Sequence, residues 1–170
     1  MKQISLKNFR KFKELPATDL GKLTIMTGGN NSGKSTVDKA VMLVSNYLKT
    51  QVLTVNSDID KYSKYIQFYF DIPQVHISSF KRAINNTCKK TEVVMFHVVI
   101  NEFLFEISVS SPPDSWNYSY GYVSFLKIHD QERKIMYDYD FKSRSITISF
   151  LNELPDQEEN AAKELKKEIE

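Results

Sequence analysis

With 170 residues, 41% of them hydrophobic and 26% charged, the chain has the size and balance of one globular domain or one lobe of a larger one. No apolar run nears the roughly 18 residues that span a bilayer, and a single cysteine, Cys88, excludes an intrachain disulfide and a cysteine-based zinc site. The net charge of +2 is unevenly spread, with nine Lys/Arg against three Asp/Glu in residues 1–50, eleven of each in 51–150, and three against seven in 151–170.

The amino-terminal excess suits polyanions, either nucleotide phosphates or a nucleic-acid backbone. Met1-Lys2-Gln3-Ile4-Ser5 lacks the apolar core of a signal peptide, which predicts a cytoplasmic protein. Ile4 and Leu6 alternate with polar neighbours, so residues 1–14 are expected to form a strand and a turn. Pro16 and Gly21 punctuate the connection to a second short β-rich run, Leu23-Thr24-Ile25-Met26-Thr27.

That run leads into Gly28-Gly29-Asn30-Asn31-Ser32-Gly33-Lys34-Ser35-Thr36, a complete G-x-x-x-x-G-K-[ST] phosphate-binding loop. Gly28 and Gly33 allow the tight turns that aim successive N–H groups, from Asn30 to Thr36, at one oxyanion. Lys34 can reach the β/γ-phosphates, Ser35 can hold Mg²⁺, and Thr36 faces the α-phosphate. Beyond the loop, Val37, Ala40, Val41, Val44 and Leu48 recur at helical spacing, predicting a helix to about Lys49 whose positive end points at the phosphates.

From Thr50 to Pro73 the pattern is weak: Asn56-Ser57-Asp58 suggests a turn, and the aromatic run Tyr65–Phe70 resists assignment. Ile77, Phe80 and Ile84 fit a short helix that Ser78 or Ser79 would cap. The second half then turns to period two. Val93–Ile100 is continuously apolar, and alternating runs follow at Phe103–Val109, Tyr122–His129, Ile135–Phe141 and Ile146–Phe150. Turns fall near Asn101, Pro112-Pro113-Asp114, Asp130-Gln131-Glu132 and Lys142-Ser143-Arg144, giving an antiparallel meander of roughly four strands. The tail from Pro155 to Glu170 is a solvated helix former with little to bury.

The pairing of Ile4-x-Leu6-x-Asn8-Phe9-Arg10-x-Phe12 with Leu23-Thr24 and Gly28-x-Asn30-Asn31-Ser32-Gly33-Lys34-Ser35-Thr36 resembles the amino-terminal lobe of ABC-type ATPases of the SMC, RecF and OLD-nuclease group. The likeness covers residues 1 to about 50. It implies a mixed α/β P-loop fold, an ABC-type head lobe in which an antiparallel meander surrounds the phosphate loop and its helix. Residues 1–154 would form this lobe and 155–170 would begin a helical or coiled-coil segment. The resemblance further implies ATP and Mg²⁺ as ligands, Arg10 or Lys11 near phosphates or base, and a Mg²⁺-sensing glutamine, for which Gln67 and Gln74 are candidates and Gln74 the better placed. Phe9 and Phe12 are open to two readings, core packing or an adenine contact.

In that group hydrolysis needs an acidic motif, a signature loop and a switch histidine from further along the chain, plus head dimerisation. None of these is recognisable here. The expected partners are therefore a second head or the protein's own carboxy-terminal lobe, with DNA a candidate through a role in repair or defence against foreign DNA. Asp38 departs from the usual small or apolar residue after the loop and puts the helix packing in question.

Other motifs carry blander readings. Asn101-Glu102 after an apolar run imitates an Asp-Glu pair but fits a hairpin turn better. Asp138 and Asp140 share one strand face and read as its wet side. His76, His97 and His129 lack metal-ligand spacing, and the many aromatics read as core before stacking platforms. Two competing functions remain open: a self-contained small P-loop enzyme such as a kinase, using Glu102 or Asp138, and a non-catalytic interaction module on a degenerate head.

Overall fold

Period-two patterning becomes one long antiparallel sheet. The computed structural model describes residues 1–150 apart from 53–66, 90, 114, 142 and 144. The predicted turn at Asn56-Ser57-Asp58, residues Tyr65 and Ile66 of the aromatic run, and the tail helix lie outside the described residues. Five consecutive strands, β6 (Val94–Ile100), β7 (Phe103–Ser110), β8 (Tyr120–Asp130), β9 (Ile135–Asp140) and β10 (Ser145–Phe150), pair as a meander, one strand more than the sequence suggests. β1 (Gln3–Phe9) joins β6, and β2 (Phe12–Asp19) forms the outer edge, giving the order β10-β9-β8-β7-β6-β1-β2. β3 (Gln67–Tyr69) pairs with the start of β8, and β4 (Asp71–Ile72) with β5 (Val75–His76) makes a separate small hairpin. The class is mixed α+β with mostly antiparallel sheet.

Pro16 does not interrupt the chain as a connection would. It sits inside β2, where the register slips between Ile4↔Thr18 and Leu6↔Leu15. An edge strand tolerates proline because its missing N–H faces no partner, and the slip accommodates it.

Helix α1 (Lys34–Tyr47) buries Val37, Ala40, Leu43, Val44 and Tyr47 against the sheet, and a turn of π-helix (Leu48–Val52) continues it. The predicted face is right, and Asp38 lies on the exposed side, where it does not enter the packing. The expected helix around Ile77–Ile84 shrinks to α2 (Phe80–Ala83), with Ile84 already extended and Ser79 at the N-cap position making no side-chain cap bond. An aromatic spine ties these pieces together. Phe68 stacks on Phe96 at 5.1 Å and touches Tyr47 and Phe70, while Phe9 meets Phe96 edge-on and Phe80 meets Phe70. Burial pushes the Tyr47 phenol above its ordinary pKa.

Leu23–Thr27 is a correction. The segment forms no strand, and Leu23 and Ile25 stand 82% and 77% exposed. β-rich composition makes a strand only where a neighbour accepts its backbone hydrogen bonds, and no described strand lies beside it.

Packing is tight where α2 meets the sheet. A Cβ added to Gly121 would strike Val109 Cγ1 and lie 2.9 Å from the Ser110 carbonyl oxygen and 3.0 Å from the Phe80 ring. Gly121→Ala should therefore cost about 1–3 kcal/mol, read as a lower urea midpoint with an unchanged slope.

Candidate functional site

Three segments converge on a cavity of about 1000 Å³. The first is the glycine loop, whose shape follows from backbone handedness. Gly28 (φ 142), Asn31 (φ 63) and Gly33 (φ 105) all sit at positive φ. Gly33 is the N-cap of α1, and its carbonyl accepts from Thr36 N–H at 2.9 Å and Val37 N–H at 3.1 Å. The N–H groups of Lys34 and Ser35 thus open the helix without an intrahelical acceptor, as the first turn of any helix must. Lys34 Nζ donates to the Gly28 carbonyl (2.6 Å), the Gly29 carbonyl (2.9 Å) and Ser32 Oγ (3.4 Å), drawing the loop around its ammonium.

The second segment is the two-residue turn Arg10-Lys11 between β1 and β2, where Phe9 pairs with Phe12. Asn8 (φ 59) and Arg10 (φ 49) both adopt the left-handed conformation, which asparagine tolerates but which arginine rarely adopts without support from its surroundings. The constraint is visible. Arg10 N–H donates to the Ala83 carbonyl (2.7 Å), Asn85 N–H to the Asn8 carbonyl (2.9 Å), and Asn85 Nδ2 to the Arg10 carbonyl (2.7 Å). Buried Asn8 in turn donates to the Val93 carbonyl at 2.9 Å. These bonds strap the hairpin to the third segment, α2 and the loop after it.

The resulting lining carries six cationic side chains, Arg10, Lys11, Lys34, Lys39, Lys81 and Arg82, and no Asp or Glu among the described residues. Four of the nine Lys/Arg of the first 50 residues thus meet on one cavity, joined by two cations from α2. Asn30, Asn31, Ser32, Gly33, Ser35 and Thr36 also line it. Gly28 contributes its carbonyl to Lys34 from behind. Phe12 packs its ring directly on Gly33, and Phe9 is fully buried in the core.

Several sequence candidates fall elsewhere. Gln74 is exposed in the β4–β5 turn and outside the lining, and Gln67 bonds Tyr69 on β3. Asn101-Glu102 is a hairpin turn between β6 and β7, with Asn101 at φ 54. Asp138 faces Lys127 across the β8–β9 pair at 3.8 Å. His97 bonds Ser5 at 3.1 Å, and His76 lines the cavity but bonds Asp71 at 3.0 Å. No group of three or more His, Cys, Asp or Glu able to hold a metal occurs among the described residues. Ser35 lines the cavity and can offer one hydroxyl oxygen to a cation, as can Ser32 and Thr36 beside it.

Lys81 and Arg82 escape sequence reasoning altogether. A four-residue helix has no periodicity, and only long-range backbone bonds bring it to the loop.

One ion pair holds the β2 side in place. Lys13 donates to Glu92 at 2.9 Å, and that bond, followed by the Lys89 backbone N–H, holds the Glu92 carboxyl down at about 2. A depressed folded-state pKa stabilises above the unfolded value, near 4.5, and the contribution fades as pH falls toward 2. Glu92→Gln should therefore flatten the acid limb of stability in a urea-midpoint series across that window, while the pair's exposure keeps the neutral-pH loss small.

The chain matches no protein-family profile, no curated protein and no solved structure.

Proposed function

We propose that this chain is the ATP-gripping lobe of a P-loop ATPase resembling the SMC, RecF and OLD-nuclease group. The observation that carries the proposal is the opposition of a glycine loop, capping a 14-residue helix, to the Arg10-Lys11 turn across a cavity lined by six Lys/Arg and, among the described residues, by no Asp or Glu. The loop N–H groups and the positive end of α1 would cradle the phosphates. Lys34 would exchange its bonds to the Gly28 and Gly29 carbonyls for the β/γ-phosphate oxygens. Ser35 would supply one Mg²⁺ ligand, and Arg10 and Lys11 would close the phosphates from the opposite side.

Hydrolysis asks for more. A carboxylate is needed to help hold Mg²⁺ and to orient water, and none lines the cavity among the described residues. Leu23, Ile25 and Met26 are exposed immediately before the loop, and a run apolar on both faces is the pattern of a strand buried inside a sheet. Both facts support completion of the site by another segment, either a second head or a further lobe. The role in DNA repair or defence rests on the family resemblance alone. The self-contained kinase reading is weakened because neither Glu102 nor Asp138 reaches the cavity.

Calorimetric titration of the 170-residue chain with ATP–Mg²⁺, paired with a phosphate-release assay, tests this. Weak binding with turnover near background is expected. Absence of binding would refute the nucleotide reading, and robust turnover lost in Lys34→Ala would refute the half-site reading.

A further inference from the structure

Charge on the cavity comes in two groups linked by a turn. Lys34 and Lys39 belong to α1, Lys81 and Arg82 to α2, and the Arg10-Lys11 turn is tied to both sides. Toward the loop, the ring of Phe12, at the foot of that turn, packs on Gly33. Toward α2, Arg10 N–H donates to the Ala83 carbonyl and Asn85 Nδ2 to the Arg10 carbonyl, each at 2.7 Å. The α2 cations thus reach the cavity by way of the turn and not by way of the phosphate loop.

Holding these segments together has a cost. Arg10 is kept at φ 49, and the straps set one basic segment against another with no Asp or Glu among the described lining residues to offset the repulsion. The backbone of α2 is fixed, since Phe80 and Lys81 N–H donate to the Tyr118 and Trp116 carbonyls at 2.7 and 3.0 Å. Its two cationic side chains are exposed and line the cavity. Ile77 and Ile84, which flank α2, and the exposed Asn86 complete that wall. Two apolar side chains and an amide suit a sugar or base better than a further run of phosphates.

Resting on the nucleotide reading above, we propose that Lys81 and Arg82 form a second anion subsite. The ligand is a nucleotide phosphorylated at two places, its 5′-triphosphate on the loop and a further phosphate on its ribose held by α2. A Mg²⁺-bound triphosphate alone leaves the α2 pair unmatched, because Lys34, Arg10 and Lys11 already face it and the metal cancels part of its charge. Arg82 can take two phosphate oxygens through its planar fork, and Lys81 a third as a point charge. The cavity, at about 1000 Å³, stands at the upper end for small-molecule sites and has room for a nucleoside between the two grips.

The test is calorimetric titration of the 170-residue chain in the presence of Mg²⁺. The ligands are ATP, ATP bearing a 2′- or a 3′-phosphate, and adenosine 5′-tetraphosphate, which carries its extra phosphate on the chain instead. One of the ribose-phosphorylated ligands should bind about tenfold more tightly than ATP and the tetraphosphate. In Lys81→Ala/Arg82→Ala that advantage should fall to near parity. The exchange trims exposed side chains and leaves the backbone bonds of α2 in place, and the wild-type comparison of ligands decides even without it. An equal gain with the tetraphosphate would overturn the subsite in favour of diffuse attraction. ATP bound with no gain from either ribose phosphate would overturn it and leave the loop reading standing. An advantage that survives in the double variant would overturn the assignment to α2. Absence of binding by every ligand would sink the nucleotide reading and this inference with it.

Discussion

Lys34→Ala is expected to weaken ATP–Mg²⁺ binding by roughly 30- to 150-fold, the equivalent of about 2–3 kcal/mol for charge-assisted hydrogen bonds lost to phosphate. Lys34 is one of six cations on the cavity, so a purely electrostatic attraction would lose little when one is removed. The large expected effect rests on position. Its Nζ lies within 2.6 and 2.9 Å of two loop carbonyls at the end of the helix-capping turn, where a phosphate held by the loop N–H groups would also sit. Lys39, on the same helix and the same cavity, provides the control: Lys39→Ala removes the same charge but no loop bond, and should cost less than about fivefold. Calorimetric titration of both variants separates the two accounts. Similar small losses in each would mean that the cavity attracts polyanions diffusely and that the loop is not a phosphate grip. That outcome would move the chain towards the non-catalytic interaction module. Because Lys34 also ties Gly28 and Gly29 together, its loss should lower thermal stability modestly even without nucleotide.

What the residues announce, and what they conceal, follows from how local each feature is. The glycine loop is legible because its chemistry is written in consecutive residues whose backbone angles only glycine and asparagine hold cheaply. The face of α1 and the antiparallel meander are legible, though the meander has five strands where about four are expected, because burial repeats at 3.6 or at 2. Leu23–Thr27 misleads because strand formation is a property of pairs, and composition describes one partner only. Pro16 misleads in the opposite sense, since an edge strand with a register slip accepts a residue that breaks an inner one. The tyrosines of β8 show a further limit. The aromatics read in general as core, yet at the start of β8 it is Gly121 and Val123 that take the inside, Gly121 lying against Phe80 and opposite Phe68. Lys81 and Arg82 leave no local trace at all. Their place on the cavity is decided by the bonds of Asn85 and Ala83 to the Asn8–Arg10 backbone, more than seventy positions away in sequence.

Gly33→Ala is expected to be the most damaging single methyl in the molecule, lowering stability by about 2–5 kcal/mol and loosening ATP binding with it. Two costs add. A side chain at φ 105 is strained by its own carbonyl geometry, and the new Cβ would meet Phe12, with ring atoms Cε2 and Cε1 at 3.0 and 3.2 Å and Cζ nearer still. Phe12 cannot retreat freely, because it is paired with Phe9 at the Arg10-Lys11 turn and that turn is bonded to Ala83 and Asn85. The two costs are separable by a double-mutant cycle. Phe12→Ala alone should destabilise through lost packing, but in the Gly33→Ala background it should restore part of the loss by removing the steric clash. The strain from φ would persist, so recovery should be partial in stability and small in ATP affinity. Urea midpoints for the four proteins give the coupling energy directly. A coupling near zero would mean that Phe12 yields without cost, and the ring would then be a loose cover over the phosphate loop and not the buttress that shapes it. A large coupling would make the second aromatic of the Asn8-Phe9-Arg10-Lys11-Phe12 turn a structural part of the loop it faces.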